Sequence, residues 1–485
     1  MAENLRKETA KGVIWSGLER FASGGIIFLT NIILARILSP DDFGLLALIA
    51  VFVQISQTFI DSGFSNALIQ KKDRSQEDYS TVFIFNLIIS IGLYLLLYLC
   101  APIIAHFFNN AKLITLTRVI GISLFLGALV SVHKTKLTIE LRFKIQSLIT
   151  LLSSSISAIV AIFMAYRGFG VWSLVILSLI NITLQVIFIY IIVKWKPSLM
   201  FSKKSFKKLF SYSSKLLGAS LIHLLYRNIY PIVIGKKFTP LQLGYFNRAD
   251  TFAMYAPSTI SQVISRVAFP IFSRLQDNNE RLKNAYSLYI IYASLIIFPL
   301  MIGLIVLAKP LTLLVLKEQW LPMVPMLQIL CIDWMTDHLC SINLNVLYVK
   351  GRSDLALRLE FIKKGLAIVI FFISLYWGII GVCWGRVVYG MFAVYINSFY
   401  TKQLIGISLW QQIKDIGIPL LQSCTMGIVV WIYFYFIPLI ITWKVITSII
   451  LGISAYYFFI LITKKEYLKV LLPILSSLYK KEIKS

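Results

Sequence analysis

The 485-residue chain is 58% hydrophobic and 14% charged, with a mean hydropathy of +0.81, values that exclude an ordinary soluble domain and point to a membrane protein. Its formal net charge of +26 would suit a nucleic-acid partner, but the basic residues are confined to short segments between apolar runs, which argues against one. Those runs are about 20 residues long, enough to cross roughly 30 Å of hydrocarbon as helices, and none shows the ten-residue alternation of a membrane barrel.

The charged start, "MAENLRKETAKG", leads into a first span holding Glu19 and Arg20. No small-residue cleavage site follows a short apolar core, so no removable signal peptide is expected. In chain order the hydropathy predicts fourteen spans, at about 13–38, 44–69, 80–105, 112–133, 145–166, 170–193, 210–235, 244–270, 285–308, 322–348, 356–377, 379–401, 415–438 and 442–463. Alternate connections are rich and poor in Lys and Arg. The rich set includes "LRKETAK", "QKKDR", "HKTKLTIELRFK", "KWKPSLMFSKKSFKKLF" and the final "KKEIK"; the poor set includes "SPDDFG", "FFNNAK", "YRGFG" and "WGIIG". The positive-inside rule makes the rich set, with both termini, cytoplasmic. The excess charge is then mainly a topology signal and a surface facing anionic lipid heads.

Two corners recur. "SPDDFGLLA" (39–47) joins spans 1 and 2, and "TPLQLGYFN" (239–247) joins spans 7 and 8; "YRGFGVW" (166–172) and "YWGIIGVCW" (376–384) join spans 5 to 6 and 11 to 12. Both echoes fall at matching places in two six-span units of equal orientation, which predicts a parallel repeat. The expected organisation is an N-terminal six-helix lobe (1–194), a cytoplasmic basic linker helix (195–209), a C-terminal six-helix lobe (210–402), helices 13 and 14 (403–463) and a basic cytoplasmic tail (464–485). The fold class is thus all-α, two lobes around a central cavity plus two helices.

Polar residues inside spans are costly and turn away from lipid, so their spacing marks wet helices. Span 1 carries Ser16, Arg20, Ser23 and Asn31 on one stripe, and span 2 carries Gln54, Thr58, Asp61 and Ser65. Span 7 carries Ser220, His223, Arg227 and Tyr230; span 8 carries Arg248, Thr251, Tyr255, Ser258, Gln262 and Ser265. These are the helix pairs joined by the first recurring corner. Arg20 lies roughly 10 Å inside its span and Arg227 roughly 12 Å, at 1.5 Å per residue, so Arg20, Arg227 and Arg248 are the candidate anion-binding groups. Snorkelling, or pairing with Asp61 or Asp250, is the competing use. Arg118, Arg266 and Arg386 lie nearer span ends and are weaker candidates. Asp61, Asp250, Asp333 and Asp337 are the carboxylates available to take protons or Na⁺; Asp333 and Asp337 sit one turn apart beside His338, where capping or polar contacts would serve equally well. His106 and His133 are at span ends and carry little information.

Five cysteines lie in apolar runs without metal or disulfide spacing, and no phosphate-binding loop appears, so no metal, cofactor or direct use of ATP is expected. Guanidinium groups in a wet chamber favour anions, phosphate above all.

"GVIWSGLERF", "NIILARILSPDDFGLLAL", "DSGFSNALIQ", "LRFK" at 141–144 and "KGRSDLALRLEFIKK" resemble the Wzx-type polysaccharide flippases of the multidrug/oligosaccharidyl-lipid/polysaccharide exporter superfamily. The resemblance covers nearly the whole chain. It implies alternating access by two six-helix lobes and transport of undecaprenyl-diphosphate-linked oligosaccharide for O-antigen, capsule or exopolysaccharide assembly, with a cationic cavity that maps onto Arg20, Arg227 and Arg248. It implies a monomer whose partners are the lipid-linked substrate, membrane lipids and other polysaccharide assembly proteins. Where the family often has a Gln-Arg-like pair before "LRFK", this chain has "HKTKLTIE". The competing readings are a drug/cation antiporter of the same superfamily, which needs acidic residues dominating the wet helices, and a polysaccharide polymerase or ligase, which needs a large extracytoplasmic loop.

Overall fold

The computed structural model describes residues 24–463 other than 62, 72 and 199, and among these it contains helices and no strand. The helices are α1 (Gly24–Ile37), α2 (Pro40–Asp61), α3 (Phe64–Gln70), α4 (Gln76–Phe107), α5 (Lys112–Ile120), α6 (Ile122–Ile139), α7 (Phe143–Tyr166), α8 (Val171–Ile192), α9 (Lys203–Lys237) and α10 (Pro240–Arg274). They continue with α11 (Asn279–Leu316), α12 (Val324–Trp334), α13 (Asp337–Val349), α14 (Ser353–Ser374), α15 (Gly378–Ile405), α16 (Leu409–Phe436) and α17 (Ile441–Thr463). Nine stretches among the described residues are long and apolar enough to cross a membrane. Packing divides the chain into two compact units, Met1–Asn247 and Arg248–Ser485.

The recurring corner is a pair of helix caps. Ser39 N–H donates to Asp42 Oδ2 at 3.0 Å and Asp42 N–H returns to Ser39 Oγ at 3.3 Å; Thr239 N–H reaches Gln242 Oε1 at 3.5 Å and Gln242 N–H reaches Thr239 Oγ1 at 3.2 Å. Each is a reciprocal capping box with proline at the first helical position, where the absent N–H costs nothing. The two corners also meet inside the first unit. A methyl group on Gly44 would run into the Pro240 carbonyl, and one on Gly244 into the Pro40 carbonyl, so the glycines allow two backbones to touch.

Span 4 runs as one apolar stretch, Lys112–Ile139, with a turn at Gly121 between α5 and α6; span 10 is interrupted at Met335–Thr336, between α12 and α13. Asp333 and Asp337 therefore do not share a continuous helical face; Asp337 opens α13, where a carboxylate meets the positive end of the helix dipole. Residues 193–198 and 200–202 are non-helical, and the basic "KKSFKK" that follows forms the first turns of α9, continuous with the span.

That linker is tied along the first turns of α4. Trp195 Nε1 donates to Gln76 Oε1 at 2.6 Å, Gln76 Nε2 to the Lys196 carbonyl at 2.8 Å, Ser198 N to Ser80 Oγ at 3.0 Å and Ser202 N to Thr81 Oγ1 at 3.1 Å. Asp78, fully buried, accepts from Lys71 Nζ at 2.5 Å, from Ser75 N at 2.9 Å and from the Ser205 hydroxyl. The lobe boundary expected at 195–209 is thus a packed part of the first unit.

In the second unit a buried polar knot joins four helices. Asn343 Oδ1 on α13 accepts from Tyr286 (2.8 Å) on α11 and Thr401 (2.6 Å) on α15, while its Nδ2 donates to Gln412 Oε1 (3.1 Å) on α16. Asn343→Ala would strand the Tyr286 hydroxyl and the Gln412 amide where water does not reach, while Thr401 keeps the Asn397 carbonyl. Its expected cost is about 1 to 3 kcal/mol, read as a lower unfolding temperature in detergent, with Tyr286→Phe costing less.

Candidate functional site

Two polar clusters stand out against the apolar helices, one in each unit. In the second, Arg386 on α15 bridges two carboxylates: Nη1 lies 2.6 Å from Asp250 Oδ1 on α10, and Nη2 lies 2.6 Å from Asp333 Oδ2 at the end of α12. Trp334 Nε1 donates to the same Asp250 oxygen at 2.9 Å, and its ring lies 5.6 Å from the guanidinium carbon. Side-chain exposures of 15% for Arg386 and 12% for Asp333 put this fork in a poorly hydrated place, where each charged group relies on its partners rather than on water. Gly390, one turn along α15, makes room for it: a Cβ there would sit 3.1 Å from Asp333 Oδ1 and 3.0 Å from Thr336 Oγ1. The break between α12 and α13 falls beside the cluster.

In the first unit a cavity of about 370 Å³ is lined by Gln57, Asp61, Ser65, Ser131, Lys134 and Thr135, among others. Asp61 Oδ1 accepts from Ser65 Oγ at 2.7 Å. Lys134 Nζ on α6 donates to Gln185 Oε1 at 2.5 Å, Gln185 Nε2 to Asn181 Oδ1 at 2.5 Å, and Asn181 Nδ2 to Ser157 Oγ at 3.3 Å, so the chain of amides runs from α6 through α8 to α7. Separately, Asn86 on α4 donates to the cavity-lining Ser131 Oγ at 3.0 Å. One amide, Gln57, with hydroxyls, an ammonium and a carboxylate around one cavity can bind sugar hydroxyls and an anionic group together.

The predicted residues fall variously. Asp61 lines the first-unit cavity, and Asp250 and Asp333 are brought together by Arg386. Arg248 is buried in the second unit at 7% exposure, and Arg227 is exposed on α9. Gln54, Tyr255 and Gln262 are exposed; Asn31 is half-buried and donates to the Ile27 carbonyl of its own helix at 2.9 Å. Ser16, Arg20 and Ser23 lie outside the described residues, as does the side chain of His223. His338 is fully buried, its Nε2 2.9 Å from Ser294 Oγ, a packing role. Lys134 was read from the sequence as loop charge, and Asn181 and Gln185 were not singled out. Their spacing of four on span 6 was the available signal.

A family model described as "Polysaccharide biosynthesis protein" matches residues 33–325. The chain belongs to the polysaccharide biosynthesis protein family. This bears out the resemblance to polysaccharide flippases. Relatives include the teichuronic acid biosynthesis protein TuaB of Bacillus subtilis (strain 168), 26% identical over 88% of this chain and 89% of that protein. Another is the lipopolysaccharide biosynthesis protein WzxC of Escherichia coli (strain K12), 25% identical over 88% of this chain and 89% of that protein. Among solved structures, the lipid II flippase MurJ in an inward closed conformation superposes with a TM-score of 0.72 at 17% identity, covering 93% of this chain and 98% of that one. This family member therefore has the helical fold of a membrane transporter.

Proposed function

We propose that this protein is a flippase that carries undecaprenyl-diphosphate-linked oligosaccharide from the cytoplasmic to the periplasmic leaflet of a bacterial inner membrane, by alternating access, as a monomer with both termini cytoplasmic. The observation that carries this reading is the first-unit cavity, where Lys134, Asp61, Gln57 and the hydroxyls of Ser65, Ser131 and Thr135 lie within otherwise apolar helices. Unaided passage of a diphosphate sugar head costs roughly 3 to over 10 kcal/mol for each charge, and more for its unpaired hydroxyls. A wet polar route lowers that cost while the lipid tail stays in the bilayer. The family and the MurJ-like fold support the same reading.

The antiporter alternative calls for free carboxylates, and the engagement of Asp250 and Asp333 by Arg386 speaks against it. It also weakens the expectation that those two carry a coupling ion. Arg20→Ala and Arg227→Ala are each expected to lower flipping at least about tenfold, the loss of roughly 1.4 kcal/mol of head-group binding, while elution as a folded species is unchanged. Deletion in the host followed by mass spectrometry of lipid-linked glycans tests the function. Complete repeat units should accumulate on the undecaprenyl carrier inside the cell; single units displayed at the surface would instead indicate a polymerase.

A further inference from the structure

At the end of the first unit where α6 stops, α7 starts and α8 stops lies an open pocket of about 410 Å³, separate from the cavity above. Four of its lining side chains are cationic, Lys136, Arg142, Lys194 and Lys196, against one carboxylate, Glu140. The backbone builds it. Residues 193–196 are non-helical, with Val193 extended, and burial alternates along them: Val193 and Trp195 are buried, Lys194 and Lys196 exposed. The Trp195–Gln76–Lys196 hydrogen bonds fix that segment. On the other wall α6 ends in a Schellman turn, with Arg142 N–H on the Leu137 carbonyl at 2.9 Å and Leu141 N–H on Thr138 at 3.1 Å. Leu141 occupies the left-handed position at φ 56°, where glycine is usual and a branched side chain is strained. The equivalent turn of the second unit has Gly351 at φ 70° followed by Arg352. The turn swings Arg142 back to within 3.6 Å of Glu140, and Lys136 lies 3.8 Å from the same carboxylate and 5.8 Å from the Trp195 ring.

The outer surface of α8 just before the pocket exposes Ile187, Tyr190 and Ile191, the last at 70%. A cationic recess at the end of an apolar track suits a molecule with an anionic head and a hydrocarbon tail rather than a soluble ion. The lone carboxylate, Glu140, sits between Arg142 and Lys136 as an acceptor placed for hydroxyls beside a phosphate. We propose that this pocket binds the headgroup of an anionic glycerol phospholipid. The four cations hold the phosphate, Glu140 takes the glycerol hydroxyls, and the acyl chains lie along Ile187 and Ile191.

The test is native mass spectrometry of the full chain titrated with phosphatidylglycerol, phosphatidylcholine or undecaprenyl phosphate, with inorganic phosphate as competitor. Wild type should retain one phosphatidylglycerol far more tightly than phosphatidylcholine. The triple variant Arg142→Gln, Lys194→Gln, Lys196→Gln should weaken that binding on the order of 100-fold, and Lys194→Arg with Lys196→Arg should keep it. Unchanged binding in the folded triple variant would overturn the proposal. So would preferential retention of undecaprenyl phosphate, which would assign the pocket to the carrier lipid, or full displacement by inorganic phosphate, which would make it a free-anion site.

Discussion

Arg386→Met is expected to cost the second unit about 3 to 5 kcal/mol, seen as a large fall in unfolding temperature or as loss of folded protein from the membrane. The substitution keeps much of the side chain's bulk but leaves Asp250 and Asp333 facing one vacated position, with exposures of only 29% and 12%. Two poorly hydrated carboxylates without their shared cation repel each other, and each loses a charge-assisted hydrogen bond. The signature of this mechanism is rescue. Adding Asp250→Asn and Asp333→Asn to Arg386→Met should restore most of the stability, because a neutral set removes the uncompensated charge that makes the single variant costly. If the triple variant is no more stable than the single one, the penalty comes from packing and the ionic fork is incidental. Activity gives a second readout. A rescued variant that still flips would show the fork to be structural, whereas a rescued but inactive one would tie it to the transport cycle.

Gly44→Ala and Gly244→Ala are expected to be clearly destabilising, and equal to each other. Each added methyl would strike a backbone carbonyl of the opposite corner, Pro240 or Pro40, and a carbonyl in a capped first turn cannot rotate aside as a flexible side chain can. Overpacking of this kind costs typically about 1 to 3 kcal/mol, and here it opens the contact between α2 and the start of α10. Because both methyls wedge the same contact, the double variant should cost little more than either single one. Gly92→Ala, with nothing within 4 Å of the new Cβ, should be close to neutral. Additive losses at Gly44 and Gly244 would mean that the corners pack independently.

The helices were legible from apolar run length because backbone groups in hydrocarbon leave the chain few other options. The corners were legible because proline, glycine and a capping residue at fixed spacing have one common use; that they would pack on each other was not, since the sequence records the glycines but not what approaches them. Positive charge was the less reliable guide. Counting it by segment placed Lys134 in a loop, yet α6 carries it past the expected span end to Gln185, and the basic start of α9 looked like a separate linker for the same reason. Arg386 was set aside for its nearness to a span end. Its partners come from α10 and α12, remote in sequence, and no one-dimensional spacing reveals such pairs. Conversely, the polar stripe on span 8 points to Tyr255 and Gln262, both exposed, while Asn181 and Gln185 lie on span 6, away from the recurring corner whose helices the polar spacing marks most clearly.

The central claim, that a hydrated polar interior passes an anionic lipid-linked sugar head between leaflets, is tested most directly by reconstitution. Purified protein in vesicles carrying a fluorescent undecaprenyl-diphosphate oligosaccharide in both leaflets should make the inner-leaflet pool accessible to an external quencher, and vesicles holding Arg20→Ala/Arg227→Ala protein should leave much of it protected. Protection of the inner pool despite folded wild-type protein, or equal exposure in wild-type and variant vesicles, would contradict the account.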